Sequence, residues 1–120
     1  MALNLEHLWL DADQAVALSL IVNELVANAL LHGAAPAGQP LSVAVSCRPV
    51  EGNIVVIVSD NGGGIPANRT PRPDGGQGMN IVNQLAQVNL RGELNVANSA
   101  GGVRATLRFP RSRQADRLAR

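Results

Sequence analysis

The stretch Asn23-Glu24-Leu25-Val26-Ala27-Asn28-Ala29-Leu30-Leu31-His32 carries a carboxylate, an amide and an imidazole, each four residues from the next, within an apolar setting. On a helix, positions i, i+4 and i+8 share one face, so Glu24, Asn28 and His32 fall in a row. One reading of that row is the polar stripe of an amphipathic helix. The other starts from Leu25, Val26, Ala29 and Leu30, which flank Glu24 and Asn28 and make them a partly buried acid and amide in need of partners. A hydrated Mg2+ bridging to phosphates is such a partner. Magnesium prefers oxygen, keeps several waters and takes only one or two protein groups, which suits the Asn28 amide oxygen with Glu24 nearby. His32, one turn further, reaches a phosphate or caps the helix.

On the N-terminal side, Leu3 to Leu10 is predicted as a strand, with Leu3 and Leu5 alternating against Asn4 and Glu6. Asp11 then reads as an N-cap with Gln14 three residues on, as in a capping box, and Val16, Leu18, Ile21, Val22, Leu25, Val26, Ala29 and Leu30 fill an apolar surface up to Gly33. Beyond the loop Ala34 to Pro40, Leu41 to Arg48 and Ile54 to Asp60 are predicted as an antiparallel hairpin turning at Glu51-Gly52-Asn53. Ile65 to Gly75, with three prolines, reads as an exposed mobile loop. Ile81, Val82, Leu85 and Val88 then give a second amphipathic helix, with Gly92 as its stop. Strands are predicted at Glu93 to Ala97 and Val103 to Phe109, joined by the turn Asn98 to Gly102, with Pro110 ending the last.

Composition excludes several classes. A chain of 120 residues with 46% hydrophobic content and net charge +1 fits one domain with one core. Residues 1–110 are read as that domain and residues 111–120, with four arginines, as a solvated tail. Met1 to Glu6 has no basic region followed by an apolar stretch, and the apolar segments are too short to span a bilayer, so a cytoplasmic setting without direct membrane contact is expected. Cys47 is the only cysteine and reads as a small hydrophobe in or near a strand; with His7 and His32 it cannot assemble a zinc pattern. All ten basic residues are arginine, which excludes a Walker-type phosphate loop, since that loop requires lysine. Near-neutral charge and only two aromatics, Trp9 and Phe109, argue against a nucleic-acid surface.

Two glycine-rich segments complete the pattern. Asp60 ends an apolar strand directly before Asn61-Gly62-Gly63-Gly64, which reads either as a plain turn or as a carboxylate accepting a hydrogen bond from an adenine 6-amino group, with Gly62 and Gly64 letting the ring approach the backbone. Guanine would face that carboxylate with a carbonyl oxygen. Gly76-Gln77-Gly78 opens the second helix, where free N–H groups suit phosphate oxygens. Ile81 stands where the third glycine of a Rossmann fingerprint would be, so that class does not apply. Arg69 and Arg72 are either solvated or in reach of phosphate.

Taken together, Asn-Glu-Leu-x-x-Asn-Ala-x-x-His at Asn23 to His32, Asp-x-Gly-x-Gly at Asp60 to Gly64, Gly-x-Gly-x-x-Ile-Val at Gly76 to Val82 and the closing Gly101-Gly102 resemble the ATP-binding catalytic domain of sensor histidine kinases. That domain sits within the wider group of type II topoisomerase, Hsp90-like and MutL-like ATPases. The resemblance implies an α/β (α+β) two-layer sandwich of the Bergerat type, a mixed, mainly antiparallel sheet with helices on one face. It implies ATP and Mg2+ as cofactors, the loop Ile65 to Gly75 as a lid, and phosphoryl transfer as the chemistry. It assigns Glu24 as general base or organiser of metal-bound water, Asn28 as Mg2+ ligand, Asp60 as adenine reader, and Asn28, His32, Asp60, Gly62, Gly64, Ile65, Gly76, Gly78 and Met79 as the ATP-binding set.

Leu31 occupies a position where many relatives have a phosphate-contacting lysine, and Val103 one where threonine often follows the glycine. The resemblance further implies a dimerisation domain carrying the phosphoacceptor histidine, for which neither His7 nor His32 is placed, and a response regulator as indirect partner. Two alternatives share the pattern: an anti-sigma-factor type serine kinase, and a nucleotide-binding interaction module without kinase activity. A topoisomerase-like clamp is disfavoured, since it needs a lysine on the terminal phosphate.

Overall fold

Asp11 and Gln14 close the expected capping box: Gln14 N–H donates to Asp11 Oδ1 at 2.7 Å, and Asp11 N–H to Gln14 Oε1 at 3.3 Å. They start helix α1, Ala12–His32, in a computed structural model that describes residues 2–5, 9–32, 40–62, 77–99 and 102–112. Gln14 is only 7% exposed, yet its polar atoms are satisfied, because Nε2 donates to the Pro110 carbonyl at 3.0 Å. The helix thereby begins pinned to one end of the sheet. Its core stripe is Ala17, Ile21, Leu25 and Ala29. This stripe is narrower than the sequence suggested, since Val16 is 62% and Leu30 58% exposed.

The sheet has five strands, β1 (Ala2–Leu5), β2 (Val43–Val50), β3 (Asn53–Asp60), β4 (Glu93–Ser99) and β5 (Gly102–Pro110), in the order β1-β2-β3-β5-β4. Only β1 and β2 pair parallel, joined through α1; the other three pairings are antiparallel. Ile54, Val56 and Val58 of β3 and Leu107 and Phe109 of β5 face α1 and the second helix, and the core lies between. The expected two-layer sandwich is therefore the observed fold.

Several boundaries move. The predicted first strand does not reach Leu10: Trp9 and Leu10 lie outside any strand, because the chain must leave the sheet to place Asp11 as the cap. β2 runs two residues later than Leu41 to Arg48 and takes in Pro49, which pairs with Ile54 beyond the reach of β1, whose register ends at Cys47. The hairpin turns on two residues, not three. Glu51 and Gly52 both have positive φ, 50° and 82°, as a type I′ turn demands. β4 extends to Ser99 because Asn98 and Ser99 pair with Val103 and Gly102, which shortens the predicted turn.

The second helix, α2 (Gln77–Gln84), continues as a π-helical segment, Leu85–Asn89, with Val82, Ala86 and Leu90 buried. Ile81 and Val88, assigned to its apolar face, are exposed. The stop is also built differently from expectation. Arg91 takes the left-handed conformation at φ 56°, and Gly92 N–H donates to Ala86 O at 2.8 Å. Gly92 is a glycine for another reason: a Cβ there would lie 2.2 Å from Arg108 O and 2.8 Å from Phe109 Cβ.

Adjacent substitutions should therefore act in opposite directions. Arg91→Gly is expected to raise stability by about 1 kcal/mol by relieving the left-handed backbone, and Gly92→Ala to lower it by about 2 kcal/mol through overpacking. Urea denaturation of both variants checks this.

Candidate functional site

Three elements point to one end of the sheet. Gln14 ties the start of α1 to Pro110, which pairs with Asn53 at the first residue of β3. From there α1 rises about 1.5 Å per residue, which carries Glu24 and Asn28 about 15 and 21 Å away, toward the end where β3 finishes at Asp60. The second helix runs the other way. Its C-terminal end closes at Gly92, packed on Arg108 and Phe109, so the N-terminus of α2, with Gly78 in its first turn, is directed toward the Asp60 end as well. Glu24 and Asn28 are half-buried, on one flank of the core stripe of α1.

Asp60 is held by backbone. Its Oδ1 accepts the Gly62 N–H at 2.8 Å and the Val103 N–H at 3.4 Å, so one carboxylate oxygen is fixed between its own turn and the neighbouring strand. Among the described residues nothing donates to Oδ2. Asp60 shares the parity of Ile54, Val56 and Val58 and so belongs to the helix side of the sheet. Gly102 makes this arrangement possible: a Cβ there would lie 1.8 Å from Asp60 O and 3.0 Å from its Oδ1. Gly62 is buried beside it.

Asn61, which the spacing of motifs did not single out, staples the site's rim. Its Oδ1 accepts the Ser42 N–H at 2.7 Å, its Nδ2 donates to Pro40 O at 3.0 Å, and its own N–H donates to Ser42 O at 3.1 Å. These bonds extend the β2–β3 pairing past Asp60. The only local signal for them was an Asn following a strand, which equally suits a turn. Val103, noted in the sequence for lacking a hydroxyl, acts here through its main-chain N–H.

Of the remaining predicted site residues, Gly64, Ile65 and Gly76 and the side chains of His32 and Met79 lie outside the described residues, as does the loop 65–75. Among the described residues no cluster of three or more His, Cys, Asp or Glu side chains forms a metal cage. Glu24 and Asn28 offer oxygen donors one turn apart, which fits a hard cation that takes few protein ligands and completes its shell with water and phosphate. No described helix is long and apolar enough to cross a membrane.

The family model described as histidine kinase-, DNA gyrase B- and HSP90-like ATPase matches residues 13–113. Sensor histidine kinase PdtaS of Mycobacterium tuberculosis is 32% identical over 106 residues, covering 88% of this chain and 21% of its own length. The chain thus spans about a fifth of that relative. Among solved structures, the histidine kinase domain of the Erythrobacter litoralis EL346 blue-light activated histidine kinase superposes with a TM-score of 0.81 at 28% identity, over 98% of this chain and 54% of that one. The ATP binding domain of PrrB from Mycobacterium tuberculosis gives 0.69 at 28% identity, over 93% of this chain and 81% of that one.

The Asp60–Gly102 contact predicts that Gly102→Ala lowers stability by about 2 kcal/mol, because the added methyl must push β3 and β5 apart. Thermal and urea unfolding measure it.

Proposed function

The chain belongs to the family of histidine kinase-, DNA gyrase B- and HSP90-like ATPases, and from that premise we propose that it is the ATP-binding catalytic domain of a sensor histidine kinase. It binds Mg2+-ATP and transfers the terminal phosphoryl group to a histidine on a separate dimerisation domain, from which a response regulator receives it. The relatives named as histidine kinases, several times longer than this chain, support placing the acceptor elsewhere in a larger protein. The cytoplasm, where ATP is available, is the compartment this reading requires.

The observation that carries the reading is the state of Asp60. With Oδ1 fixed by two backbone donors and no described residue donating to Oδ2, that second oxygen is an oriented acceptor at the end of the sheet toward which the C-terminal half of α1 and the N-terminus of α2 are directed. An adenine 6-amino group satisfies it; the guanine carbonyl would set acceptor against acceptor, a mismatch of several kcal/mol in a desolvated site. Gly62, with Gly64 and Ile65, would line the base. Gly76, Gly78, Met79 and His32 would meet the phosphates at the start of α2, where N–H groups and the helix dipole favour anions.

Asn28 would hold Mg2+ through its amide oxygen, with Glu24 acting through water. The ion, when bound, neutralises charge on the phosphates. Glu24 then serves to orient or deprotonate the attacking group, and the remainder of the site contributes by positioning, which accounts for most of the rate in phosphoryl transfer.

Asp60→Asn is the sharpest test. It keeps an acceptor for Gly62 and Val103 but puts an NH2 on the other side, donor against donor. Calorimetric titration is expected to show ATP affinity falling at least about tenfold, a loss of about 1.4 kcal/mol or more, with the melting temperature nearly unchanged. Unchanged affinity would contradict the adenine assignment. Asn28→Ala is expected to bind ATP with an affinity that no longer responds to Mg2+; a full metal response in that variant would remove Asn28 from the metal site.

A further inference from the structure

The face of the sheet turned away from the helices has its own composition. Val55 and Ile57 of the central strand β3 alternate with the core residues Ile54, Val56 and Val58 and therefore face outward. The run Ile54 to Val58 is apolar at every position, the signature of a strand covered on both faces, whereas an antiparallel strand with one wet face alternates. In the described structure helices cover only one face. Arg48 and Arg108 pair on either side of Val55, Ser46 and Thr106 on either side of Ile57, and Arg104 pairs with Ser59. Glu93, opposite Arg108, is the one acid in these rows.

All three arginines are exposed, and none forms an ion pair with a described residue. They are three of the five arginines among the described residues, while the helix layer carries Asp11, Asp13 and Glu24 and no arginine within α1 or α2. Among the described residues the charge is thus polarised across the sheet. An apolar centre inside a polar, charged rim is the anatomy of a protein interface. It lacks the aromatic side chains on which a nucleic acid would stack: Phe109 is buried on the other face and Trp9 precedes α1.

We propose that this outer face is a docking surface for an acidic amphipathic helix of a partner protein, with carboxylates on Arg48, Arg104 and Arg108 and apolar side chains on Val55 and Ile57. The spacing fits. Two strand separations set the Arg48 and Arg108 backbones about 10 Å apart, and helix positions i and i+7 lie about 10.5 Å apart. Planar guanidinium groups suit bidentate carboxylate contacts. The surface lies across the sheet from Asp60, so a partner bound there leaves the nucleotide end open, and the inference does not rest on the kinase reading.

The test uses the full chain and, as probe, a fluorescein-labelled helical peptide of about 15 residues with leucines along one face and glutamates on both flanks. Fluorescence anisotropy is expected to give a Kd of about 10–100 μM at low salt, weakening at least about fivefold as salt screens the charges. The triple variant Arg48→Glu/Arg104→Glu/Arg108→Glu should lose at least about tenfold in peptide affinity while ATP affinity changes less than about twofold. Arg48→Gln/Arg104→Gln/Arg108→Gln answers the same question if the reversal disturbs folding. Ile57→Ser should weaken the peptide and leave ATP binding as it was. Absence of peptide binding, binding that survives loss of the three arginines and so belongs to the arginines of residues 111–120, or tighter binding of a single-stranded oligonucleotide through the same three arginines would each overturn the proposal.

Discussion

Gly102 lies so close to the end of β3 that no side chain fits between it and Asp60, and this contact organises the Asp60 end of the molecule. It brings the Val103 N–H onto Asp60 Oδ1, where the Gly62 N–H also donates, so the carboxylate is held by main chain from its own turn and from the neighbouring strand. Main-chain donors are set by the register of the sheet and cost no side-chain entropy to position. The same register places Asn53 against Pro110 at the far end, where Gln14 anchors α1. A single strand pairing thus fixes both where the acid stands and where the helix carrying Glu24 and Asn28 begins.

The parts of this arrangement that depend on near neighbours were legible in the sequence. The capping box of Asp11 and Gln14, the i, i+4 relation of Glu24 and Asn28, and the hairpin of β2 and β3 each follow from residues within a few positions of one another. What was not legible depends on distant chain. Gly92 looked like a helix stop, but its smallness answers to β5, sixteen residues later, and Arg91 takes the left-handed turn. Asn61 reads locally as a turn residue, whereas its bonds reach back to residues 40–42. Pairing also decides strand ends: Asn98 and Ser99 are polar turn-like residues drawn into β4 by Val103 and Gly102.

The two faces of the sheet differ in composition. The helix side buries the aliphatic core and gathers the acids, with α1 and α2 running in opposite senses so that the C-terminal half of one and the N-terminus of the other address the same end of the sheet. The outer side carries arginines around Val55 and Ile57. The chain spans about a fifth of a relative's length, and the proposed nucleotide site and the proposed docking surface, lying on opposite faces, leave room for both to be occupied at once.

We propose that α1, the end of β3 and the start of α2 together form one nucleotide cradle. Amide chemical shifts of the 15N-labelled chain, recorded as a non-hydrolysable ATP analogue and Mg2+ are added, test it most directly. The largest changes are expected to fall together on Asn28, Gly62, Gly78 and Val103, with Val55 and Thr106 unmoved. Changes confined to one of these elements, or centred on the outer face of the sheet, would contradict it.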